Sequence, residues 1–291
     1  MRLTERWNAF WFVPFSTRLL AFFRIVLCLL ILLEVARSGM MASFLSGNES
    51  RYFANGFYAP YFSFLRPPSY PVYLVLTRIF IFCAFTAMIG FFTRASFFLT
   101  AGVFFYLFFL NKFFFQNHFY SLGLVLFLST FMPCAETWSC DARLKQFKNG
   151  GNPPDFVISW AARLVQVTVS IMYLASATSK LTPAWISGGV FKIFYENGVL
   201  DPGKAFALIG RIPYAWQAVL ALATEYFLAF GLWWRKTRFL AFVVGIFFHT
   251  FLNFSMEIGQ FSFQIFAYYL LFLNPLPRNM KQTPTTFQAA H

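Results

Sequence analysis

Charged side chains are scarce in this sequence. Of its 291 residues, 11% are charged and 59% are hydrophobic. A soluble domain carries roughly 25% charged residues, so the composition excludes an ordinary soluble globular protein. The apolar residues form several runs of about 20, the length that an α-helix needs to cross a bilayer. The sequence therefore predicts an integral membrane protein.

Acidic residues are scarcer than basic ones, and their imbalance gives a net charge of +13. Such a charge is also typical of nucleic-acid-binding proteins, whose cations gather on one polar face. Here the cations are spread among the ends of the apolar runs, as membrane topology requires. We therefore predict a lipid bilayer as the partner and no nucleic acid.

Cysteines and the other common metal ligands are also few. Four cysteines are too few for a disulfide scaffold. Cys28 and Cys83 fall inside apolar runs, and Cys134 and Cys140 lack the C-x-x-C spacing of metal ligands. The sequence also contains no phosphate loop, heme motif or Ser-His-Asp candidate. We predict that no metal is bound.

The apolar runs predict an all-α fold, a polytopic membrane bundle of about eight transmembrane helices. The predicted spans are about 19–36, 72–92, 95–110, 118–132, 156–179, 214–234, 239–254 and 261–273. Aromatic and basic residues at 1–17 predict an amphipathic segment at the membrane interface. The predicted organisation is thus this segment, a transmembrane domain at 18–276, and a short polar tail at 277–291.

Eight spans place both termini on one side of the membrane. Basic residues are concentrated at the termini and at the even-numbered turns, at Arg2, Arg6, Arg18, Arg94, Arg143, Lys145, Lys148, Arg235, Lys236, Arg238, Arg278 and Lys281. The positive-inside rule then predicts that both termini are cytoplasmic, in the inner (plasma) membrane. Cys134 and Cys140 would face a reducing compartment, where a stable disulfide is not expected.

A lysine ends the fifth predicted span. Tyr173 and Lys180 are seven residues apart, nearly two turns, so both lie on one helix face. The residues between them are small, which lets helices approach closely. A partly dehydrated lysine is stabilised in its neutral form, the form that acts as a general base. The alternative is a lysine that snorkels to the headgroups, with Trp185 as an interfacial anchor.

Other polar residues reach the same predicted membrane depth as Lys180. Asn117 and His118 open the fourth span at its outer end, and His249 lies in the outer third of the seventh. Asn253 follows His249 by one turn on the same face. Ionisable residues within a membrane are costly and commonly functional. A packed core histidine and a helix N-cap at Asn117 are the structural alternatives.

Buried charges in other spans point to structural ion pairs. Arg24 and Glu34 lie ten residues apart on the first span, about 15 Å, and cannot pair with each other. Glu225 in the sixth span is the candidate partner for one arginine, Arg24, Arg78 or Arg163. We predict that this glutamate is mainly structural.

Five short motifs follow one another along the sequence in a defined order and spacing. They are Phe23-Arg24 with Glu34, Asn117-His118-x-Tyr120-x-x-Gly123, Trp138-Ser139-x-Asp141, Lys180-Leu181-x-x-x-Trp185-x-x-Gly188, and Phe248-His249 with Gly259 and Phe261. This set resembles the vitamin K-dependent gamma-glutamyl carboxylases and their bacterial relatives, the horizontally transferred transmembrane (HTTM) domain proteins. The resemblance covers about residues 15–276.

The resemblance implies a carboxylase-like (lyase) activity that uses a reduced quinone, either vitamin K hydroquinone or menaquinol. By resemblance, Lys180 is the base that deprotonates the quinol, and Asn117 and His118 assist it. The residues that we place around the cofactor are Tyr173, His249, Asn253 and Trp185.

Two functions stay open at this point. The first is a quinol-dependent enzyme acting on an exported peptide or a small substrate. The second is a non-enzymatic maturation or export helper for a secreted peptide, working with a partner maturation protein. The carboxylases carry a long extracytoplasmic part after their spans, which this sequence, ending soon after Leu276, does not contain. A transporter is disfavoured because the sequence shows no inverted repeat or paired broken helices.

Overall fold

The computed structural model describes residues 2–37, 60–110, 112, 116–201, 203, 206–256 and 261–275. Within these ranges the chain forms thirteen α-helices, two short strands and a final 3₁₀ turn. The helices are α1 Leu3–Trp11, α2 Thr17–Arg37, α3 Tyr70–Ile89, α4 Thr93–Leu110, α5 Asn117–Ser129, α6 Cys140–Asn149, α7 Trp160–Ser179, α8 Pro183–Ile186, α9 Gly189–Glu196, α10 Ala207–Gly210, α11 Tyr214–Gly231, α12 Arg235–Ser255 and α13 Phe261–Leu270. The strands are β1 Pro14–Ser16 and β2 Phe156–Ile158, and the 3₁₀ turn is Leu271–Leu273.

Every predicted span coincides with one of these helices, so the all-α membrane class is confirmed. Four helices, α2, α3, α4 and α12, are long and apolar enough to cross a membrane. The other four predicted spans correspond to α5 and α13, which are shorter, and to α7 and α11, which are long enough but less apolar. The number of helices that cross the bilayer stays a prediction. The tail at 277–291 lies outside the described residues.

The fifth span begins later than predicted. Phe156–Ile158 is not helical but pairs as β2 with β1 in antiparallel register, with Phe15 opposite Val157. The Asn274 side chain binds the other side of β1, because it accepts the Ser16 amide at 3.0 Å and donates to the Pro14 carbonyl at 2.8 Å. Branched and aromatic residues favour strands, and here they form one just before the helix.

The chain divides into two compact units, the first of which contains Met1–Leu164 and Leu273–His291. In this unit α2 packs on α3, α3 on α4, and α4 on α5. The Arg24 side chain is fully buried, and its guanidinium donates to the carbonyls of Ala87 at 3.1 Å and Trp138 at 2.5 Å. Gly90 ends α3 with φ of 73°, and a Cβ there would collide with Arg24. Arg24 therefore joins α2, the end of α3 and the loop before α6.

Asp141 closes the turn between α3 and α4. Its carboxylate accepts the amides of Phe92 and Thr93, both at 2.9 Å, and the Thr93 hydroxyl at 2.7 Å. A carboxylate at the start of a helix satisfies amides that have no partner within the helix, and it complements the helix dipole. The motif Trp138-Ser139-x-Asp141 is thus explained by the folding of this turn.

The N-terminal helix α1 has no buried residue, and Trp7 and Phe10 are exposed on it. Arg163 holds α1 in place, since its Nε donates to the Phe10 carbonyl at 2.8 Å and its guanidinium lies 5.0 Å from the Phe10 ring. The helix ends at Trp11 and β1 follows, so the predicted amphipathic segment is only partly helical. Its place at the membrane interface stays a prediction.

The second unit contains Val165–Phe272. In it α11 packs on α12 and α12 on α13, while the short helices α8 and α9 pack on α11. The buried side chains that join them are Phe191, Leu200, Ala218 and Phe251. This packing fixes the segment that follows α7, and with it the surroundings of Lys180.

Candidate functional site

Lys180 is the first residue after α7, at a turn built by local contacts. Its amide donates to the Ala177 carbonyl at 3.1 Å, and Thr182 then caps α8 by accepting the Trp185 amide. Pro183 occupies the first position of α8, where the missing N–H costs nothing. The chain therefore turns sharply after Lys180 and leaves 23% of the lysine side chain exposed.

Lys180, Ser176 and Glu225 form a closed triangle of hydrogen bonds. The Lys180 ammonium donates to Glu225 Oε1 at 2.5 Å and to Ser176 Oγ at 2.8 Å. Ser176 Oγ in turn donates to the same Glu225 oxygen at 2.9 Å. The Glu225 side chain is only 7% exposed, and its second oxygen has no hydrogen-bond partner among the described residues. One acceptor is therefore free beside a partly exposed amine.

The predicted partnership between Glu225 and an arginine is wrong. Glu225 pairs with Lys180, while Arg24 donates to two backbone carbonyls and Arg163 to a third. Arg78 is exposed on α3. A hydropathy pattern shows which helix carries a charge but not which neighbouring face it meets, so the partner could not be read from the sequence.

Trp185 covers the lysine from the side of α8. Its ring centroid lies 5.3 Å from the Lys180 nitrogen, close enough for a cation–π contact. The ring also packs edge-on against Phe191 at 5.4 Å, which fixes its position. The tryptophan therefore limits the access of water to the amine.

A second network lies on the same face of α7. The Tyr173 hydroxyl is 2.6 Å from His249 Nε2 and 2.5 Å from the Tyr269 hydroxyl, and all three side chains are buried. Gly245, one turn before His249 on α12, makes room for Tyr269, because a Cβ at Gly245 would collide with the tyrosine ring. Sequence reasoning missed Tyr269, since a tyrosine in an apolar run gives no signal of its partners.

The two networks follow one helix face, at Tyr173, Ser176 and Lys180. His249 Nδ1, like the second oxygen of Glu225, has no hydrogen-bond partner among the described residues. A buried polar atom without a partner is costly, and each of the two networks contains one.

The remaining predicted site residues are Asn117, His118 and Asn253. Asn117 and His118 lie in the first turn of α5, in the first unit, so their grouping with Lys180 stays a prediction. Gln116, not Asn117, is the N-cap of α5, so the capping alternative for Asn117 is wrong. Asn253 is half-buried on α12, one turn after His249. Gly259 of the last motif lies outside the described residues.

No three His, Cys, Asp or Glu residues of the described ranges lie close enough together to hold a metal ion.

The model of the HTTM domain family matches residues 12–276, nearly the whole chain. The chain belongs to the HTTM domain family. The match includes Lys180, Glu225 and the Tyr173 network, and it confirms the resemblance drawn from the five motifs. This family is related to the vitamin K-dependent carboxylases. No solved structure matches the chain.

Proposed function

We propose that this HTTM protein is a membrane enzyme in which Lys180 is the base that deprotonates a reduced quinone. The observation that carries the proposal is the triangle of Lys180, Ser176 and Glu225 at the end of α7. It places an amine that can exchange a proton beside a buried carboxylate, and it leaves the amine partly accessible. The quinone is vitamin K hydroquinone or menaquinol, both soluble in the bilayer.

Glu225 gives the lysine a route to its neutral form. A base needs an unprotonated amine, and an ammonium buried against a carboxylate is a poor base. Moving one proton across the 2.5 Å between Lys180 Nζ and Glu225 Oε1 converts the ion pair into a neutral amine and a carboxylic acid. The net charge does not change, so the exchange avoids the cost of an isolated buried charge.

The free groups of the site fit a quinol. The unpartnered Glu225 oxygen can accept a hydrogen bond from a ligand hydroxyl, and Trp185 offers an aromatic face beside the amine. A reduced quinone supplies a weakly acidic hydroxyl on an aromatic ring. The proton leaves that hydroxyl and is held at Lys180 Nζ, whose positive charge then stabilises the oxygen anion. Tyr173 and His249 hold α7 and α12 in place through their hydrogen bond.

The substrate finally modified is, in this proposal, an exported peptide or a small molecule reached from the outer side of the membrane. The basic residues at the termini and even-numbered turns support this orientation in the plasma membrane. Reporter fusions after Lys148 and after Arg238 should both give cytoplasmic signals. A periplasmic signal at either fusion would contradict the topology.

Substituting Lys180 tests the base. Lys180→Arg keeps the charge, but a guanidinium is effectively never deprotonated. We expect the rate at which dissolved oxygen oxidises reduced naphthoquinone in the presence of the purified protein to fall by about 10²-fold or more, with thermal stability retained. Lys180→Ala should fail as well.

The matched control is Lys192→Arg, which changes an exposed lysine paired with Glu196 on α9. It should leave the rate unchanged. Full activity of Lys180→Arg would make Lys180 a membrane anchor. If mass spectrometry finds no quinone in protein extracted from its membrane, and reduced quinone is not consumed, the non-enzymatic maturation helper replaces the enzyme.

A further inference from the structure

A second site is indicated by a polar cavity in the first unit. The cavity has a volume of about 680 Å³ and lies among the start of α2, helix α6 and the segment 150–155. Its polar lining includes Arg18, Glu136, Thr137, Arg143, Lys145 and Asp155. None of these residues belongs to the Lys180 site.

The charges in this cavity are only partly paired. Lys145 binds Glu136 at 3.0 Å, and this pair is neutral as a whole. The side chains of Arg18 and Arg143 make no hydrogen bond or ion pair within the described part of the chain, and Asp155 contributes one carboxylate. Two guanidinium groups against one carboxylate leave one positive charge, which suits a ligand with a single negative charge.

The accessible donors of this cavity are its two unpaired arginines. Thr137 also lines the cavity, but its Oγ1 is fully buried and a ligand oxygen cannot reach it. Arg18 and Arg143 are both exposed, so their guanidinium groups can reach a ligand oxygen.

The position of the cavity indicates the source of that oxygen. Arg18 is the second residue of α2, an apolar helix long enough to cross the membrane, so the cavity lies where this helix meets water. The exposed aromatic residues of α1, in the same unit, are of the type that is enriched at the interface between membrane and water. Lipid phosphates lie at this depth, and arginine binds phosphate through paired N–H donors.

We propose that this cavity binds the phosphodiester group of a membrane lipid, through Arg18 and Arg143. A phosphodiester carries one negative charge and therefore balances the unpaired charge of the cavity. Free inorganic phosphate offers the same oxygens but carries more negative charge at neutral pH, which Asp155 opposes.

Binding of short-chain dihexanoyl phosphatidylglycerol to the full-length protein in a nonionic detergent tests the proposal. We expect one bound lipid per chain by native mass spectrometry, with an affinity that falls as salt is added. Arg18→Gln and Arg143→Gln should each weaken binding about tenfold or more. The two arginines lie on different elements, and the thermal unfolding of each variant shows whether it is folded.

The control Arg211→Gln removes an exposed arginine of the second unit and should not change the affinity. Dihexanoylglycerol, which lacks the phosphate, should not compete for the site. Unchanged affinity in Arg18→Gln and Arg143→Gln, or an equal loss in Arg211→Gln, would overturn the proposal. Displacement of the lipid by an equal concentration of inorganic phosphate would overturn the lipid source and assign the cavity to free phosphate.

Discussion

Arg24 in the first unit and Lys180 in the second are both cations set into apolar helices, but their partners differ in kind. Arg24 is fully buried and binds two backbone carbonyls. Lys180 is partly exposed and binds a carboxylate and a hydroxyl. A guanidinium always keeps its charge, whereas an amine can release a proton to a carboxylate. The partners therefore separate a cation that joins helices from one that can take part in chemistry.

The carbonyl partners of Arg24 also explain how it tolerates burial without a carboxylate. Ala87 lies in the last turn of α3, and its carbonyl accepts both the Gly90 amide and the Arg24 guanidinium, each at 3.1 Å. The negative end of the helix dipole lies there too. Arg24 is thus the second donor of the Ala87 carbonyl and a donor to the Trp138 carbonyl, and it balances its own charge against them.

The largest effect should follow from removing the Arg24 guanidinium. Arg24→Met removes two hydrogen bonds from a charged donor, to the Ala87 and Trp138 carbonyls, and should lower the free energy of unfolding by about 3 kcal/mol or more. Thermal unfolding in detergent measures the loss. Arg66→Met is the control, since Arg66 is an arginine whose guanidinium donates to one exposed carbonyl, that of Ser63. Equal unfolding temperatures for the two variants would contradict the role of Arg24 in joining α2 to the end of α3 and the loop before α6.

A smaller effect is expected at Glu225. Glu225→Gln leaves the Lys180 ammonium without its carboxylate, but partial exposure lets water compensate, so we expect a loss of about 1–3 kcal/mol. Glu196→Gln removes the carboxylate of an exposed pair with Lys192 and should cost at most about 0.5 kcal/mol. If both variants unfold alike, the buried pair does not stabilise the fold. The rate of oxidation of the reduced quinone should fall in Glu225→Gln alone.

The smallest expected effect is on the labelling rate of Cys134, a thiol whose pKa depends on Arg24. This thiol lies in the loop between α5 and α6, and burial raises its pKa to about 12 although Arg24 and Arg94 oppose the shift. At pH 8 only about one thiol in 10⁴ is then the reactive thiolate. Maleimide should modify the half-buried Cys140 first, and Cys134 about tenfold faster for each added pH unit.

Arg24→Met removes a cation that lowers the pKa of Cys134 and should therefore slow its labelling, whereas Arg66→Met should not. Rapid labelling of Cys134 in the unchanged protein at pH 8 would show that the loop is open to water. Mass spectrometry of the labelled peptides distinguishes the two cysteines.

The sequence alone determined where the helices lie and which lysine to examine. In a bilayer every backbone group must be paired within its own helix, so an apolar run of sufficient length predicts a helix with few alternatives. The face shared by Tyr173, Ser176 and Lys180 follows from helix geometry, and Trp185 lies one short turn away. These contacts are local, and local patterns reveal them.

Tertiary structure alone decided which distant groups meet. The pairing of Lys180 with Glu225, the contact of Tyr173 with Tyr269, and the sheet formed by β1 and β2 join segments far apart in the sequence. Each depends on which faces of two elements pack together, and apolar faces that meet lipid or protein look alike in composition. The sequence does not reveal these contacts because many apolar surfaces could pack together. Only the shapes of the surfaces and a few buried polar atoms decide which of them do.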